Sequence, residues 1–458
     1  MTPWRCLAGV GMMLAAGLGA LPAACAADRP AGYVIVVSEE TLADPAWEKV
    51  VAAVLEKHHE RPAITITWRA APDEALEKLA EHRPRYACFV ARPEEAGREF
   101  VAAVHQLCRR IDDDPYGDVL WGILTGFDAA NALAIAETSA PLVIRRVTAG
   151  TELAMDRVVE GEWFCELTRN RMVRKVAGGE AREMKGPDDT TAALAARLTD
   201  GQTDLLVTSG HATQRDWQIG FRYRNGSFLS GAGKLWGVDT AGRKIPIESG
   251  NPKVWLPVGN CLAGHIDGPD ALALAFMHGA GVRQMIGYTV PTWFGYAGWG
   301  MLDYFVEQPG RYTLCEAFHA NDHALVHRLA TRAAPGDEQG LVHDRDVVAL
   351  YGDPAWEARM ADGKRSFNQT LTEVDGTFTL EIIPLAGAES FAPVNTNGSQ
   401  RGGRPLVAFL PRRICEKKVL AGEAWEPVIT DDFILVPLPP EGHVEPIRIV
   451  FRGVGPDG

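Results

Sequence analysis

The sequence predicts an α/β protein with mostly parallel sheets, helices on both faces and two subdomains, followed by a C-terminal β-sandwich. Three observations predict it. Short, continuous apolar runs alternate with helix-length segments from residue 32 to about 365. Those runs lack the strict in–out alternation of a half-exposed strand, so they read as strands covered on both faces, the condition of a parallel sheet with crossover helices. From about residue 366 the pattern changes to short alternating strands with turns between them and no helix of useful length.

The first subdomain, residues 28–150, follows this grammar closely. GYVIVVS is a strand and AWEKVVAAVLEKHH an amphipathic helix; AITITW is a strand and DEALEKLAEH a helix. YACFVA and EFVAAVHQLCRRI form the next pair, WGILTG and DAANALAIAE the last, with Asp128 at the N-cap position. In the second subdomain, residues 151–365, TTAALAARL is a helix, and TDLLVTSGH and KVWLPVGNC are strands with turns. DALALAFMHGAG is a helix with a glycine stop, VRQMIGYTV a strand, AGWGMLDYFVEQ and LCEAFHANDHALVHRLA helices, and residues 336–346 a loop. In the final domain, residues 366–458, Asp375-Gly376 marks a hairpin turn, and RPLVAFLP, DFILVPLP and PIRIVFRG are further strands.

Composition bounds the function. The chain has 458 residues, 46% hydrophobic and 23% charged, with a net charge of −13. That suits a globular protein of about three domains at roughly 150 residues each, and an acidic chain lacks the basic footprint of nucleic-acid binding. Residues 1–27 read as a signal peptide: Arg5, an apolar stretch from Leu7 to Leu21, then small residues before Asp28. The expectation is an exported protein (periplasmic, cell-surface or secreted) with no membrane span after cleavage. The six cysteines beyond the signal are scattered, without a CxxC pair, which indicates neither a zinc ribbon nor a disulfide scaffold.

Two strand ends carry the chemistry. DLLVTSGHA ends at His211 and Ala212, and VWLPVGNC ends at Cys261. In an open parallel sheet, ligands bind beyond the carboxyl ends of the strands, so neighbouring strands would deliver a thiol and an imidazole to one crevice. The separation, 261 − 211 = 50 residues, leaves room for an insert. An imidazole relays the thiol proton and leaves a nucleophilic thiolate. The backbone N–H groups of Ala212 and Cys261 are candidates for holding the resulting oxyanion.

The order strand–histidine–strand–cysteine resembles the caspase-like cysteine peptidases, and within them the gingipain family. DDDPYGD at 112–118, followed by WGILTGFDAANALAIAE, is similar to that family's first subdomain. NCLAG at 260–264 with the following helix, QMIGYTV and Trp293 resembles its nucleophile region, and LYGDPAW at 350–356 its closing segment. The resemblance covers roughly residues 32–450 and implies a caspase-like fold with an immunoglobulin-like sandwich. It implies a cysteine endopeptidase acting on protein or peptide, with Cys261 as nucleophile, His211 as general base and no required cofactor. It further implies Trp293 in the substrate cleft and an orienting carboxylate upstream, for which Glu152 and Glu160 are the candidates. Cleavage after a basic residue would call for an acidic pocket, with Asp267, Asp270 and Asp303 nearby. His265 is expected to line the cleft. The family usually has glycine after the histidine, where this chain has Ala212. A catalytically degenerate binding or scaffold protein is therefore the first alternative.

Two metal readings accompany these. His319, His323 and His327 fall on one helical face, the spacing of paired metal ligands, so a metal-dependent hydrolase through His319 and His323 is the second alternative. The acidic run with Asp112, Asp114 and Asp118 offers the clustered oxygens that calcium favours and is expected to form a structural calcium site.

Overall fold

The computed structural model describes residues 32–332 and 336–454; the expected signal peptide lies outside the described residues. A twelve-stranded sheet forms the backbone of the molecule. From one edge its strands are Ala63–Trp68, Tyr33–Ser38, Tyr86–Val90, Leu120–Leu124, Val348–Tyr351 and Val282–Tyr288. Then come Lys253–Pro257, Leu205–Thr208, Arg146–Ala149, Glu160–Phe164, Arg171–Lys175 and Arg182–Lys185. Pairing is parallel except where Val348–Tyr351 meets Val282–Tyr288 and along the last two strands.

The two halves of the α/β region are joined edge to edge. Val348–Tyr351 pairs with Leu120–Leu124 through Tyr351 and Ile123, and the Gly352 N–H donates to the Ile123 carbonyl at 2.8 Å. Gly352 has φ +114°, a region that suits glycine. The joint places the following Asp353 in the core of the first half. There it accepts from the Tyr33 hydroxyl at 2.8 Å and from His58 Nε2 at 2.8 Å, and pairs with Lys57 at 2.6 Å. The buried strands read as apolar runs because both faces are covered: Tyr33–Ser38, Leu120–Leu124 and Lys253–Pro257 are buried at every position. One continuous apolar core runs beneath both halves.

Local signals hold where the chemistry is local. The Asp128 carboxylate caps its helix by accepting from Asn131 N–H at 2.8 Å. Asp375 and Gly376 both have positive φ, and the flanking residues Val374 and Thr377 pair, as a two-residue hairpin requires. Residues 336–346, read from sequence as loop, contain the helix Glu338–Asp344. Its buried positions, Gly340, Leu341 and Asp344, are too few and too mixed to give a periodic apolar signal. The 50-residue interval between the two strand ends holds a four-stranded antiparallel sheet, Asp216–Gln218, Ser227–Gly231, Lys234–Val238 and Lys244–Ile247.

The C-terminal domain is a sandwich of a four-stranded and a three-stranded antiparallel sheet. Residues from both sheets, including Phe378, Leu380, Ile434 and Phe451, form its own core. The alternate residues Val407, Phe433 and Leu435 face the α/β core instead, so the sandwich is fused to the α/β region.

Candidate active site

Leu205–Thr208 and Lys253–Pro257 are adjacent parallel strands, with Thr208 opposite Pro257. His211 lies three residues beyond the first and Cys261 four beyond the second, so both emerge at the same end of neighbouring strands. Each strand end turns sharply: Gly210 has φ +96°, and Leu262, directly after the cysteine, has φ +56°. A non-glycine residue in that region is uncommon and is held there by its surroundings. Leu262 N–H donates to Val290 O at 3.2 Å and Gly264 N–H to Tyr288 O at 2.9 Å. Cys261 is thereby lifted off the strand and left partly exposed, whereas Cys88, Cys108, Cys165 and Cys315 are buried.

The two turns are tied together by Asn260, which is fully buried. Its side-chain amide donates to Gly210 O at 3.0 Å, and its Oδ1 accepts from Thr208 Oγ1 at 2.7 Å. Trp255 Nε1 donates to that same hydroxyl at 3.0 Å. The Cys261 sulfur accepts from Thr292 N–H at 3.3 Å and lies 3.6 Å from Thr292 O. The His211 ring packs tilted against Phe221, with centroids 4.9 Å apart, and, among the described residues, hydrogen-bonds to nothing, the sulfur included. In a ligand-free site such a contact commonly tightens only around substrate. Among the described residues, the N–H groups of Ala212 and Cys261 have no protein acceptor, which leaves them available to an oxyanion.

A carboxylate that sequence reasoning missed, Glu166, lies under the turn that carries His211. It follows the strand Glu160–Phe164 by two residues, so it emerges at the same end of the sheet as His211 and Cys261. Its carboxylate is buried, accepts from Thr151 Oγ1 at 2.7 Å and is bonded by Ser209 Oγ. A Cβ added to Gly210 would lie 3.9 Å from Glu166 Oε2. Its backbone carbonyl accepts from Phe221 N–H at 2.7 Å, which fixes the residue that packs against His211. Burial pushes the Glu166 carboxyl above the usual range, against the hydroxyl and amide hydrogen bonds that hold it down. No cation pairs with it among the described residues. The signal in the sequence was its position after an apolar strand end, WFCE. The two carboxylates expected in this role are placed otherwise: Glu152 pairs with Arg171, and Glu160 begins its strand and so lies a strand's length away.

The other expected residues divide. Trp293 is 57% exposed and follows Thr292, whose backbone meets the Cys261 sulfur. Asp267 is occupied by Arg215 and accepts from Gln214 at 3.1 Å, Asp270 accepts from Ala232 N–H at 2.7 Å, and Asp303 is buried and paired with Arg401 at 2.7 Å. Asp267 and Asp303 are thus paired with arginines, whereas Asp270 is exposed and has no cationic partner among the described residues. His265 sits in the turn after Cys261, with Nδ1 buried and unpartnered.

The histidine stripe packs. His319 Nε2 meets Trp121 N at 2.9 Å, His323 stacks on Phe433 at 4.2 Å, and His327 Nδ1 meets Tyr116 Oη at 3.1 Å. Burial lowers the pKa of all three, His319 to about 3. All three imidazoles are engaged by protein partners at or near the seam with the sandwich, and no cluster of three ligands forms there among the described residues. Asp112, Asp114 and Asp118 do converge, with ligand oxygens all within 4.8 Å of one another.

No protein-family model and no curated protein matches the chain. Among solved structures, the crystal structure of the Arg-specific cysteine proteinase gingipain R is similar at 10% identity, covering 90% of this chain and 93% of that one, with a TM-score of 0.46. Overlap at that level carries no residue correspondence, and the roles assigned below rest on this chain's own geometry.

Proposed function

We propose that the protein is a cysteine peptidase acting through Cys261 and His211. The observation that carries this reading is the Asn260–Gly210 clasp, which fixes a partly exposed thiol and an exposed imidazole on adjacent strand ends. The Cys261 thiolate attacks a peptide carbonyl, and the negative charge passes to the carbonyl oxygen, where the Ala212 and Cys261 N–H groups receive it. As the tetrahedral species collapses, the C–N bond breaks and His211 gives its proton to the departing amine. A thioester remains on Cys261. Water then attacks it, His211 takes the water's proton, and the carboxylic acid leaves as the thiol reforms. Glu166, beneath Gly210, orients the histidine side of the site. The exposed rings of Trp293 and Phe221 flank the nucleophile and the base and offer apolar surface to an extended substrate.

Hydrolysis of fluorescently labelled casein by the full chain tests this reading. Release of peptides by the wild type and none by Cys261→Ala or His211→Ala supports it. Equal release by wild type and Cys261→Ala, or none by any of the three, leaves a binding protein on an α/β scaffold.

We also propose that Asp112, Asp114 and Asp118 hold a calcium ion. Three carboxylates on one short loop suit a hard cation that takes oxygen ligands. Asp118 is buried, with Oδ2 lacking any hydrogen-bond partner. The site would fasten the seam with the sandwich, since the neighbouring Tyr116 ring packs on Phe433 at 5.2 Å.

A further inference from the structure

The C-terminal sandwich reaches into the catalytic end of the sheet through one strap, residues 395–404. Ser399 Oγ donates to Phe294 O at 2.7 Å, and Arg401 pairs with the buried Asp303 and Glu307. The Trp299 ring lies between this strap and the turn before the nucleophile: Gly398 contacts it, and a Cβ on Gly259 would meet it at 2.9 Å. On the other side of the site, Asn397 Nδ2 donates to Thr151 Oγ1 at 2.8 Å, and Thr151 Oγ1 donates to Glu166 Oε1 at 2.7 Å. A residue of the sandwich thus ends a hydrogen-bonded chain that runs Asn397, Thr151, Glu166, Ser209 and so reaches the turn that carries His211.

We infer that Asn397 is a positioning residue for the proposed peptidase site, supplied by the sandwich, which holds Glu166 in place beneath the Ser209–Gly210 turn that carries His211. The inference rests on the peptidase reading above. Its physical basis is the asymmetry of Glu166: a buried carboxylate whose neighbours are hydroxyls and amides in place of a cation. A carboxylate without a counter-ion depends on donated hydrogen bonds to keep its charge. Thr151 has one hydroxyl proton, and the amide that Asn397 donates to its lone pair favours the orientation that points this proton at Glu166. The titratable groups that interact with Glu166 are Glu152 from the Thr151 loop and Tyr223 from the insert. Glu152 opposes ionisation of Glu166, so the amide works against a like charge as well as against burial.

The experiment is the pH profile of kcat/KM on a labelled peptide for the full chain and for Asn397→Ala, Asn397→Asp and Asn395→Ala. Asn395 lies on the same strap, donates to the Glu152 carbonyl at 3.4 Å and accepts the Asn397 N–H at 2.8 Å, so its loss loosens the strap at Asn397 without removing the amide that bonds Thr151. Loss of the amide donor lets Glu166 keep its proton to higher pH. The acid limb of the profile is therefore expected to move to higher pH in Asn397→Ala and further in Asn397→Asp, with kcat down about tenfold or more at neutral pH, KM little changed and Asn395→Ala at the wild-type position. Acid limbs at the wild-type position in both Asn397 variants overturn the inference, as does an equal shift in Asn395→Ala. If the wild type shows no Cys261-dependent hydrolysis, the peptidase reading fails and the inference falls with it; wild-type hydrolysis with unmoved profiles removes the inference alone.

Discussion

The side-chain amide of Asn260 donates to the carbonyl of Gly210 at 3.0 Å, so the residue before Cys261 is bonded to the residue before His211. The same side chain accepts from Thr208, and it is buried among apolar strands. Replacing it with alanine leaves the Gly210 carbonyl and the Thr208 hydroxyl short of a partner, a cost of about 1–3 kcal/mol per buried polar group. Asn260→Ala is expected to lower the urea midpoint by a corresponding amount and to lower kcat more than it raises KM, because the dyad loses its spacing. Unchanged kcat in a folded variant would separate the clasp from catalysis.

Trp293 is one of the few large aromatic side chains left exposed, and its neighbour Thr292 holds the sulfur. Trp293→Ala is expected to leave the thermal midpoint within about 0.5 kcal/mol equivalent of wild type, as for a surface substitution, while raising KM for peptide substrates. Steady-state kinetics on one peptide read out both variants.

Asp353 gives a pH dependence that is independent of catalysis. Burial raises its pKa, but the Lys57 charge and the His58 hydrogen bond more than offset this and hold the carboxyl well below the usual range. A depressed folded-state pKa contributes stability that is fully present above the unfolded value, about 3.9, and is lost as pH falls below it toward the folded value. The urea midpoint of the wild type is expected to drop steeply below about pH 4. Asp353→Asn should start about 3–5 kcal/mol lower at neutral pH, the cost of stranding a buried partner, and show a shallower acid slope. Parallel acid slopes would contradict this.

The calcium proposal is checked by metal alone. Terbium luminescence excited through Tyr116, whose N–H donates to Asp114 Oδ1 at 2.8 Å, should appear in the wild type, be competed away by calcium and be absent from Asp118→Asn. The thermal midpoint of the wild type should rise on adding calcium and fall with a chelator. No terbium signal and no thermal shift would remove the site.

The sequence made the parallel α/β character legible because covered strands must be continuously apolar, as Tyr33–Ser38 and Lys253–Pro257 are. It made Cys261 and His211 legible for a related reason, since a reactive side chain directly after a buried strand has few places to go but the sheet's carboxyl edge. Glu166 was not legible: Glu152, Glu160, Glu162 and Glu166 crowd one segment, and only the strand's end point decides which carboxylate reaches the turn that carries His211. The insert strands escaped notice because the chain there is rich in glycine and half exposed, with no sustained alternation. Asp267 and Asp303 looked available because their partners, Arg215 and Arg401, lie 52 and 98 residues away. Pairing over such distances is a property of the folded chain, and residue order alone does not carry it.

The most direct measurement is peptide cleavage by purified full-length wild type and Cys261→Ala, read by mass spectrometry across a diverse peptide library under reducing conditions. Defined cleavage products from the wild type, at least 1,000-fold fewer from Cys261→Ala (on the order expected for loss of a nucleophile), is the expected result. The same products at the same rate from both proteins would contradict the account.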